Sequence, residues 1–283
     1  MKQVKKLTLL MVIILSVLVL SLYAAEKNEV NKTFKPAATV EINTVSGDCI
    51  FKIGNTDEIK VSLVHNYSAD DFEPIMKEEG ATLILEEKFK EGKKNIDGSS
   101  TWTVTVPGKT AIHFTTVSGN FTNAGLKADI HGTTVSGNID LSDLNGKLHL
   151  EMVSGNIKIQ KAAGEFKVKA VSGNIHASEI TLNGKSVFKC VSGNINVNLA
   201  KTAEYDLDMN TVSGDSTLNY NGNPIKGYFS FKGQKGNINS PIPFDNPDDA
   251  GKFNPFIKKH FTKDGDSPKI SFESISGELT LKK

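Results

Sequence analysis

The chain contains no arginine, so all 33 of its basic residues are lysine. Bidentate recognition of phosphate or carboxylate by a guanidinium group is therefore excluded. The acidic residues number 32, and the formal net charge of +1 provides no basic footprint for nucleic acid. We expect no nucleic-acid partner.

Cysteine is also scarce, with only Cys49 and Cys190 present. A secreted scaffold held by disulfides would contain more cysteine than this. Both residues fall in apolar columns of the repeat described below, about 24 Å apart if the repeats stack in order. A disulfide requires Cα atoms within about 7 Å. We therefore expect two small buried hydrophobic side chains and no disulfide.

The first 25 residues predict a targeting segment. Three lysines among the first six residues precede an apolar run from Leu7 to Leu22, and small residues follow it. The run is shorter than the roughly 20 residues of a membrane span. Residues 1–25 are thus a cleaved signal peptide or an uncleaved N-terminal anchor, and membrane contact is expected only in the second case. Either alternative exports the rest of the chain to the periplasm, the cell surface or the medium. The polar residues 26–38 are expected to form a tether.

A repeated tetrapeptide organises the remaining chain. Val-Ser-Gly-Asn begins at Val117, Val135, Val153, Val171 and Val191, its Asp variant begins at Val45 and Val212, and Ile-Ser-Gly-Glu begins at Ile275. The copies at Val117, Val135, Val153 and Val171 stand 18 residues apart, and the next two steps are 20 and 21 residues. A fixed period of this size predicts stacked structural units.

One repeat shows what each unit contains. Leu148, Leu150 and Met152 alternate with polar residues, as in a half-buried strand. Ser154-Gly155-Asn156 then breaks the alternation at a corner, and a second corner follows nine residues later. Two strands and two corners in each period predict an all-β fold, a parallel β-solenoid with two facing sheets and rungs about 4.8 Å apart. The period leaves the handedness open, and right-handed crossover is the expectation.

The same pattern predicts one solenoid domain over residues 39–283. Residues 54–106 are expected to be degenerate rungs or an N-terminal cap, residues 107–219 regular rungs, residues 222–267 a loop excursion or cap, and residues 269–283 a final rung. Caps are needed because an open terminal rung exposes strand edges and apolar core.

The tetrapeptide itself favours structural roles. We expect its valine at the edge of the core, its serine and glycine at the corner, and its asparagine in a hydrogen-bonded ladder with acidic residues at the ends. A calcium site is disfavoured because the column is mostly neutral Asn, whereas calcium prefers carboxylates. A serine repeated in every rung indicates turn chemistry rather than a nucleophile. We expect no catalytic residue and no cofactor.

Three histidines form the most distinctive candidate site. His113, His131 and His149 each stand four residues before the valine of their rung, and alternation directs all three outward. Three alternatives remain open, namely a ladder inherited by repeat duplication, a transition-metal site and a pH response.

The run Trp102 to Gly108, leading into Thr116-Val117-Ser118-Gly119-Asn120 and the later repeats, resembles a family of bacterial cell-envelope proteins known as adhesins, a domain of unknown function with Ser-Gly-Asp or Ser-Gly-Asn repeats. The resemblance implies an exported β-solenoid and carries no catalytic residues. We therefore expect a non-enzymatic adhesin-like binding or scaffold protein, whose partner is an unknown protein, glycan or envelope polymer. An envelope-stress sensory or structural component is the alternative. A carbohydrate-active enzyme is a weaker one, because the outward acids are scattered.

Overall fold

The computed structural model describes residues 27–90, 97–234, 237–245 and 256–283. Within these ranges all regular secondary structure is β-strand, in agreement with the predicted all-β class. None of the described residues belongs to a helix long and apolar enough to cross a membrane. The predicted signal peptide or anchor, residues 1–25, lies outside the described residues.

The structure contains 23 strands in the described chain. The N-terminal strands are β1 (Asn28–Phe34), β2 (Thr39–Ile53), β3 (Ile59–His65), β4 (Phe72–Glu79), β5 (Thr82–Phe89) and β6 (Ser100–Val106). The central strands are β7 (Ala111–Ser118), β8 (Phe121–Ala124), β9 (Ile130–Ser136), β10 (Ile139–Asn145), β11 (Leu148–Ser154), β12 (Ile157–Gly164), β13 (Phe166–Ser172), β14 (Ile175–Leu182), β15 (Ser186–Ser192), β16 (Ile195–Leu199), β17 (Leu207–Ser213) and β18 (Ser216–Asn219). The C-terminal strands are β19 (Gly227–Gln234), β20 (Ile238–Asn239), β21 (Phe256–Lys263), β22 (Lys269–Ser276) and β23 (Leu279–Lys282).

The repeat produces a parallel β-solenoid, as predicted. Each regular rung contributes one strand before its Ser-Gly corner and one strand after it. The strands before the corner form one sheet, here called the front sheet, in the order β4, β5, β2, β7, β9, β11, β13, β15, β17, β22, β19 and β21. The strands after the corner form the back sheet, in the order β1, β3, β6, β2, β8, β10, β12, β14, β16, β18, β23 and β20. The long strand β2 runs through both sheets and forms the first rung.

The segment 54–106 inserts no rung between the first two Ser-Gly corners. Strand β2 pairs directly with β7 and β8, although the segment separates these strands in sequence. Strands β5 and β6 lie on the opposite edge of β2, and β3 and β4 pair antiparallel with them. The segment thus forms a cap beyond the first rung, in which β5 and β6 continue the parallel pairing and the antiparallel strands β3 and β4 end it.

Two further segments differ from simple loops. Residues 26–38 were expected to be a tether, but β1 within them pairs antiparallel with β3. Partial burial of Val30 and Phe34 against the core explains why this polar stretch is ordered. Residues 222–267, expected to be a loop or cap, contain β19, which extends the front sheet beyond β22, and β21, which pairs antiparallel with β19.

The core follows the predicted columns. The inward back-sheet column is buried throughout and contains Phe121, Ile139, Ile157, Ile175 and Ile195. In the front-sheet column Gly132 replaces an apolar side chain, because the Phe114 ring fills the space where a Cβ atom would stand. Cys49 and Cys190 are buried free thiols on the first and sixth rungs, and burial raises the pKa of Cys49 to about 12.

Candidate functional site

The Ser-Gly corners fix the spacing of the rungs. Gly173 has a φ of +117°, and a Cβ atom there would stand 1.6 Å from the carbonyl oxygen of Gly155 in the rung below. Its N–H instead donates to the Ser192 carbonyl of the next rung at 2.9 Å. The glycines of the Ser-Gly corners, here called the glycine column, are therefore needed for two reasons. The backbone has a positive φ, and neighbouring rungs approach too closely to leave room for a Cβ atom.

The asparagine column forms the predicted ladder. The backbone N–H of Asn156 donates to Oδ1 of Asn138 at 3.0 Å, and the side-chain amide of Asn156 donates to the same oxygen at 3.4 Å. At the first rung Asp48 Oδ1 accepts from the backbone and the amide of Asn120 at 2.8 and 3.0 Å. The strand below the first rung has Thr101 at this position rather than an asparagine, so the first member needs only to accept and a carboxylate serves there. At the other end, Asp215 accepts the Glu278 N–H at 2.9 Å.

A buried carboxylate closes the first corner from outside the solenoid. Glu87 Oε2 accepts the N–H groups of Val45 and Ser46 at 2.7 and 3.1 Å. Its Oε1 accepts Trp102 Nε1–H at 3.2 Å and a hydrogen bond from the Ser100 hydroxyl. Four donors thus converge on one carboxylate, which satisfies the corner backbone of β2 where neither β5 nor β6 pairs with it. No pattern in the sequence singled out Glu87, because its partners come from separate segments of the chain.

The three candidate histidines do lie in one row on the outer face of the front sheet. The ring centroids are 5.8 Å apart between His113 and His131, and 4.6 Å apart between His131 and His149. We call the complete row the histidine column; it contains Glu41, His113, His131, His149, Lys167, Val187, Asp208 and Ser271.

A second outward row lies two residues closer to the corner. We call it the charge column; it contains Asn43, Thr115, Thr133, Glu151, Lys169, Lys189, Asn210 and Glu273. Glu151 Oε1 lies 2.8 Å from Lys169 Nζ and 3.2 Å from His149 Nε2. The hydrogen bond from Lys169, and then that from His149, lowers the pKa of Glu151. Glu151 therefore links the two columns.

The electrostatics of the histidine column disfavour protonation of its middle member. Partial burial lowers the pKa of His131, and the charges of His149 and His113 lower it further. In the described ranges, no group of three or more His, Cys, Asp and Glu side chains is arranged to hold a metal ion. The metal alternative for this column therefore gains no support from the geometry.

The valines of the tetrapeptide are exposed, which corrects their expected place at the core edge. We call this row the valine column; it contains Val45, Val117, Val135, Val153, Val171, Val191, Val212 and Ile275, and its members are between 43% and 51% exposed. The pattern contained the signal, since Met152 points inward and Val153 must then point outward. Two outward residues follow each other at Val153 and Ser154, where the strand turns.

A groove runs beside the valine column. It has a volume of about 610 Å³ and extends from the rung of Val135 to the rung of Ile275. The valine column forms one wall and the charge column the other, while Met152, Ala170 and Cys190 lie along its floor. The groove thus combines an apolar wall with a charged one.

Part of the chain matches a known family. Residues 112–240 match the Toastrack DUF4097 family model. No curated protein matches the chain. A crystal structure of a "putative adhesin" from Bacteroides fragilis is similar at 20% identity and a TM-score of 0.49, covering 91% of this chain and 98% of that one.

Two Parabacteroides crystal structures are also similar over most of their length. A "putative lipid binding protein" from Parabacteroides distasonis has 17% identity and a TM-score of 0.43, covering 90% of this chain and 97% of that one. A "putative adhesin" from Parabacteroides merdae has 10% identity and a TM-score of 0.41, covering 92% of this chain and 98% of that one. At these identities the functions named for those proteins are not established for this chain.

Proposed function

We propose that this chain is an exported, non-enzymatic cell-envelope protein of the adhesin type, which binds its partner through the outer face of the front sheet. The observation that carries the proposal is a contrast between columns. Serine and glycine repeat at every corner, whereas the histidine and charge columns change from rung to rung. The invariant columns hold the fold together, and the varying ones are free to meet a partner.

The framework suits such a role. Ladders of backbone and asparagine hydrogen bonds fix the rungs, so outward side chains stand about 4.8 Å apart on a rigid support. A rigid surface loses little conformational entropy on binding. A protein, glycan or envelope polymer that reaches several rungs can make many weak contacts, each of which raises the effective concentration for the next.

The outward acids favour binding over glycan hydrolysis. Glu151 belongs to the front sheet, whereas Asp140 and Asp143 belong to β10 of the back sheet. Glycoside hydrolysis needs two carboxylates at one site, roughly 5–10 Å apart. The two acids that line the groove, Glu151 and Glu273, stand four rungs and about 19 Å apart, which supports contact with a polymer rather than its cleavage. Export itself is proposed from the basic and apolar pattern of residues 1–25.

The test is binding of the full chain to envelope proteins, purified envelope polymers and a glycan array. Serine replacement of His113, His131 and His149 together should weaken binding more than about tenfold, equivalent to about 1.4 kcal/mol. The matched control is His176→Ser, because His176 is an exposed histidine on the back sheet. Equal affinity of the triple variant and the unchanged chain, or no capture of any of these partners, would refute the proposal.

A further inference from the structure

The valine column is the largest apolar feature exposed on the described chain. Of the ten large hydrophobic side chains that stand exposed in this part of the molecule, eight belong to the column. With rungs about 4.8 Å apart, the column extends for about 34 Å. Single exposed apolar residues are ordinary, but a contiguous row bordered by polar residues marks an interaction site.

The corner backbone limits what can cover this row. Gly137 N–H donates to the Ser154 carbonyl at 3.2 Å, and Gly155 N–H donates to the Ser172 carbonyl at 3.2 Å. Rung-to-rung bonds thus use the backbone groups beside the valines. A peptide strand laid along the column would bury its own N–H and C=O groups without partners, which is unfavourable. An occupant that presents side chains rather than free backbone fits better.

We propose that the occupant is a second copy of this chain. The two valine columns pack antiparallel about a twofold axis that lies across the column between the fourth and fifth rungs, with β2 counted as the first rung. Such an interface is self-complementary, because the same patch is used by both molecules. Val153 of one molecule then faces Val171 of the other, and the remaining valines pair outward from this centre.

The charge column supports this register. From the third rung onward it contains Thr133, Glu151, Lys169 and Lys189. In the proposed arrangement Glu151 of each molecule faces Lys169 of the other, and Thr133 faces Lys189. Two glutamates and two lysines therefore alternate around the twofold axis. Complementary charges of this kind fix the register of an interface and exclude others.

Neighbouring registers are less complementary. A shift of one rung in one direction places Glu151 against its own copy. A shift in the other direction lets Glu151 face Lys189 but places Lys169 against its own copy at the centre of the interface. Like charges facing each other in a partly desolvated contact are unfavourable. The order of charges along the column thus selects one antiparallel register among its nearest alternatives.

The size of the patch predicts a weak dimer. Outward columns two residues apart are separated by about 6.6 Å, so the valine and charge columns together cover a band about 13 Å wide and 38 Å long. Two such bands bury about 1,000 Å² in projection, at the low end of specific interfaces. The histidine column lies about 6.6 Å beyond the charge column, and the same twofold axis brings it opposite its own copy, so self-association competes with a different partner for this face.

The experiment exploits the twofold geometry. Association of the full chain, of Glu151→Lys, of Lys169→Glu and of an equal mixture of the two variants is measured by sedimentation equilibrium. Each variant alone should associate at least about tenfold more weakly than the unchanged chain. The mixture should associate with the affinity of the unchanged chain to within about threefold. In the mixed dimer the two lysines of the Glu151→Lys molecule face the two glutamates of the Lys169→Glu molecule. The intramolecular Glu151–Lys169 pair stays broken in both variants, so its loss cannot explain a recovery.

Two further variants control for the apolar row. Val153→Asp should abolish association, whereas Tyr205→Asp should leave it unchanged, since Tyr205 is 44% exposed and lies outside the column. A monomeric unchanged chain at about 1 mM would overturn the proposal. Homodimers of either charge variant as stable as the unchanged dimer would also overturn it, as would a mixture that fails to recover association.

Discussion

Replacement of Gly173 by alanine is the sharpest test of how the rungs are held together. The new Cβ atom would stand 1.6 Å from the Gly155 carbonyl oxygen, whereas real Cβ contacts essentially never fall below 3.0 Å. The two rungs would have to separate locally by more than about 1 Å. This movement would stretch the two backbone bonds that join these rungs at the corner, from Gly155 N–H to the Ser172 carbonyl, now 3.2 Å, and from Ile157 N–H to the Asn174 carbonyl, now 2.9 Å, beyond useful length.

The expected cost follows from these contacts. Two backbone hydrogen bonds contribute about 1 kcal/mol each, and an alanine forced to a φ of +117° adds about 1–3 kcal/mol. We expect a loss of about 3–5 kcal/mol in the free energy of unfolding, or roughly 10 °C in Tm for a chain of this size. Urea denaturation followed by circular dichroism, with hydrogen exchange at the affected corner, measures both the size and the place of the effect.

The matched control is Gly80→Ala. Gly80 also has a positive φ, +59°, but nothing lies within 4 Å of the position its Cβ atom would take. This variant carries only the backbone strain, about 1–2 kcal/mol. If the two alanine variants lose the same stability, the close approach of the rungs is not what requires glycine, and the proposed role of the glycine column is refuted.

Three further perturbations test other parts of the structure. Glu87→Gln replaces one acceptor oxygen by a donor. Since Glu87 accepts four hydrogen bonds, we expect the free energy of unfolding in urea to fall by about 3 kcal/mol. An unchanged urea midpoint would contradict the capping role of Glu87. Burial and neighbouring imidazoles lower the pKa of His131 in the folded chain, so its contribution to stability is intact above the unfolded value of about 6.5 and is lost as the pH falls from there towards the folded value. Tm should therefore decrease less with falling pH in His131→Gln than in the unchanged chain, whereas His176→Gln should behave like the unchanged chain. If Tm falls equally in His131→Gln and the unchanged chain, the predicted direction of the His131 contribution is wrong. In the same assay Asn156→Ala should lower the free energy of unfolding by about 1–2 kcal/mol. Asn156→Asp should lower it less, because an aspartate oxygen can still accept the hydrogen bond from Asn174 N–H. Equal losses in the two variants would show that this acceptor is unimportant.

The regular rungs were predictable because their information is local and repeated. The constant period set the register, and the structure pairs Leu150 with Val168 and Ile157 with Ile175 as that period requires. Alternation also set the outward direction of His131 and His149, whose rings lie in contact range. Because several rungs carry the same pattern, the inward or outward direction of each position is indicated independently by every rung.

The valine column shows how a correct pattern was interpreted wrongly. An apolar residue repeated in every rung suggested a place at the edge of the core, but Val153 is 48% exposed. Alternation already indicated an outward direction for Val153, because it follows the inward Met152. Hydrophobicity alone does not decide burial, because much of a protein surface is apolar.

The sequence alone determined the stack of rungs, its two sheets, its corners and its outward columns, since one short repeat encodes each of them with residues close together in the chain. Only the tertiary structure decided how the stack ends and which features become surfaces. Glu87 caps the first corner, β1 joins the back sheet, and strands β3 to β6 extend both sheets beyond the outer edge of the first rung. These arrangements join segments that are distant in the chain and carry no repeat, so no spacing could reveal them. The groove beside the valine column likewise exists only when six rungs stack and place an apolar wall opposite a charged one.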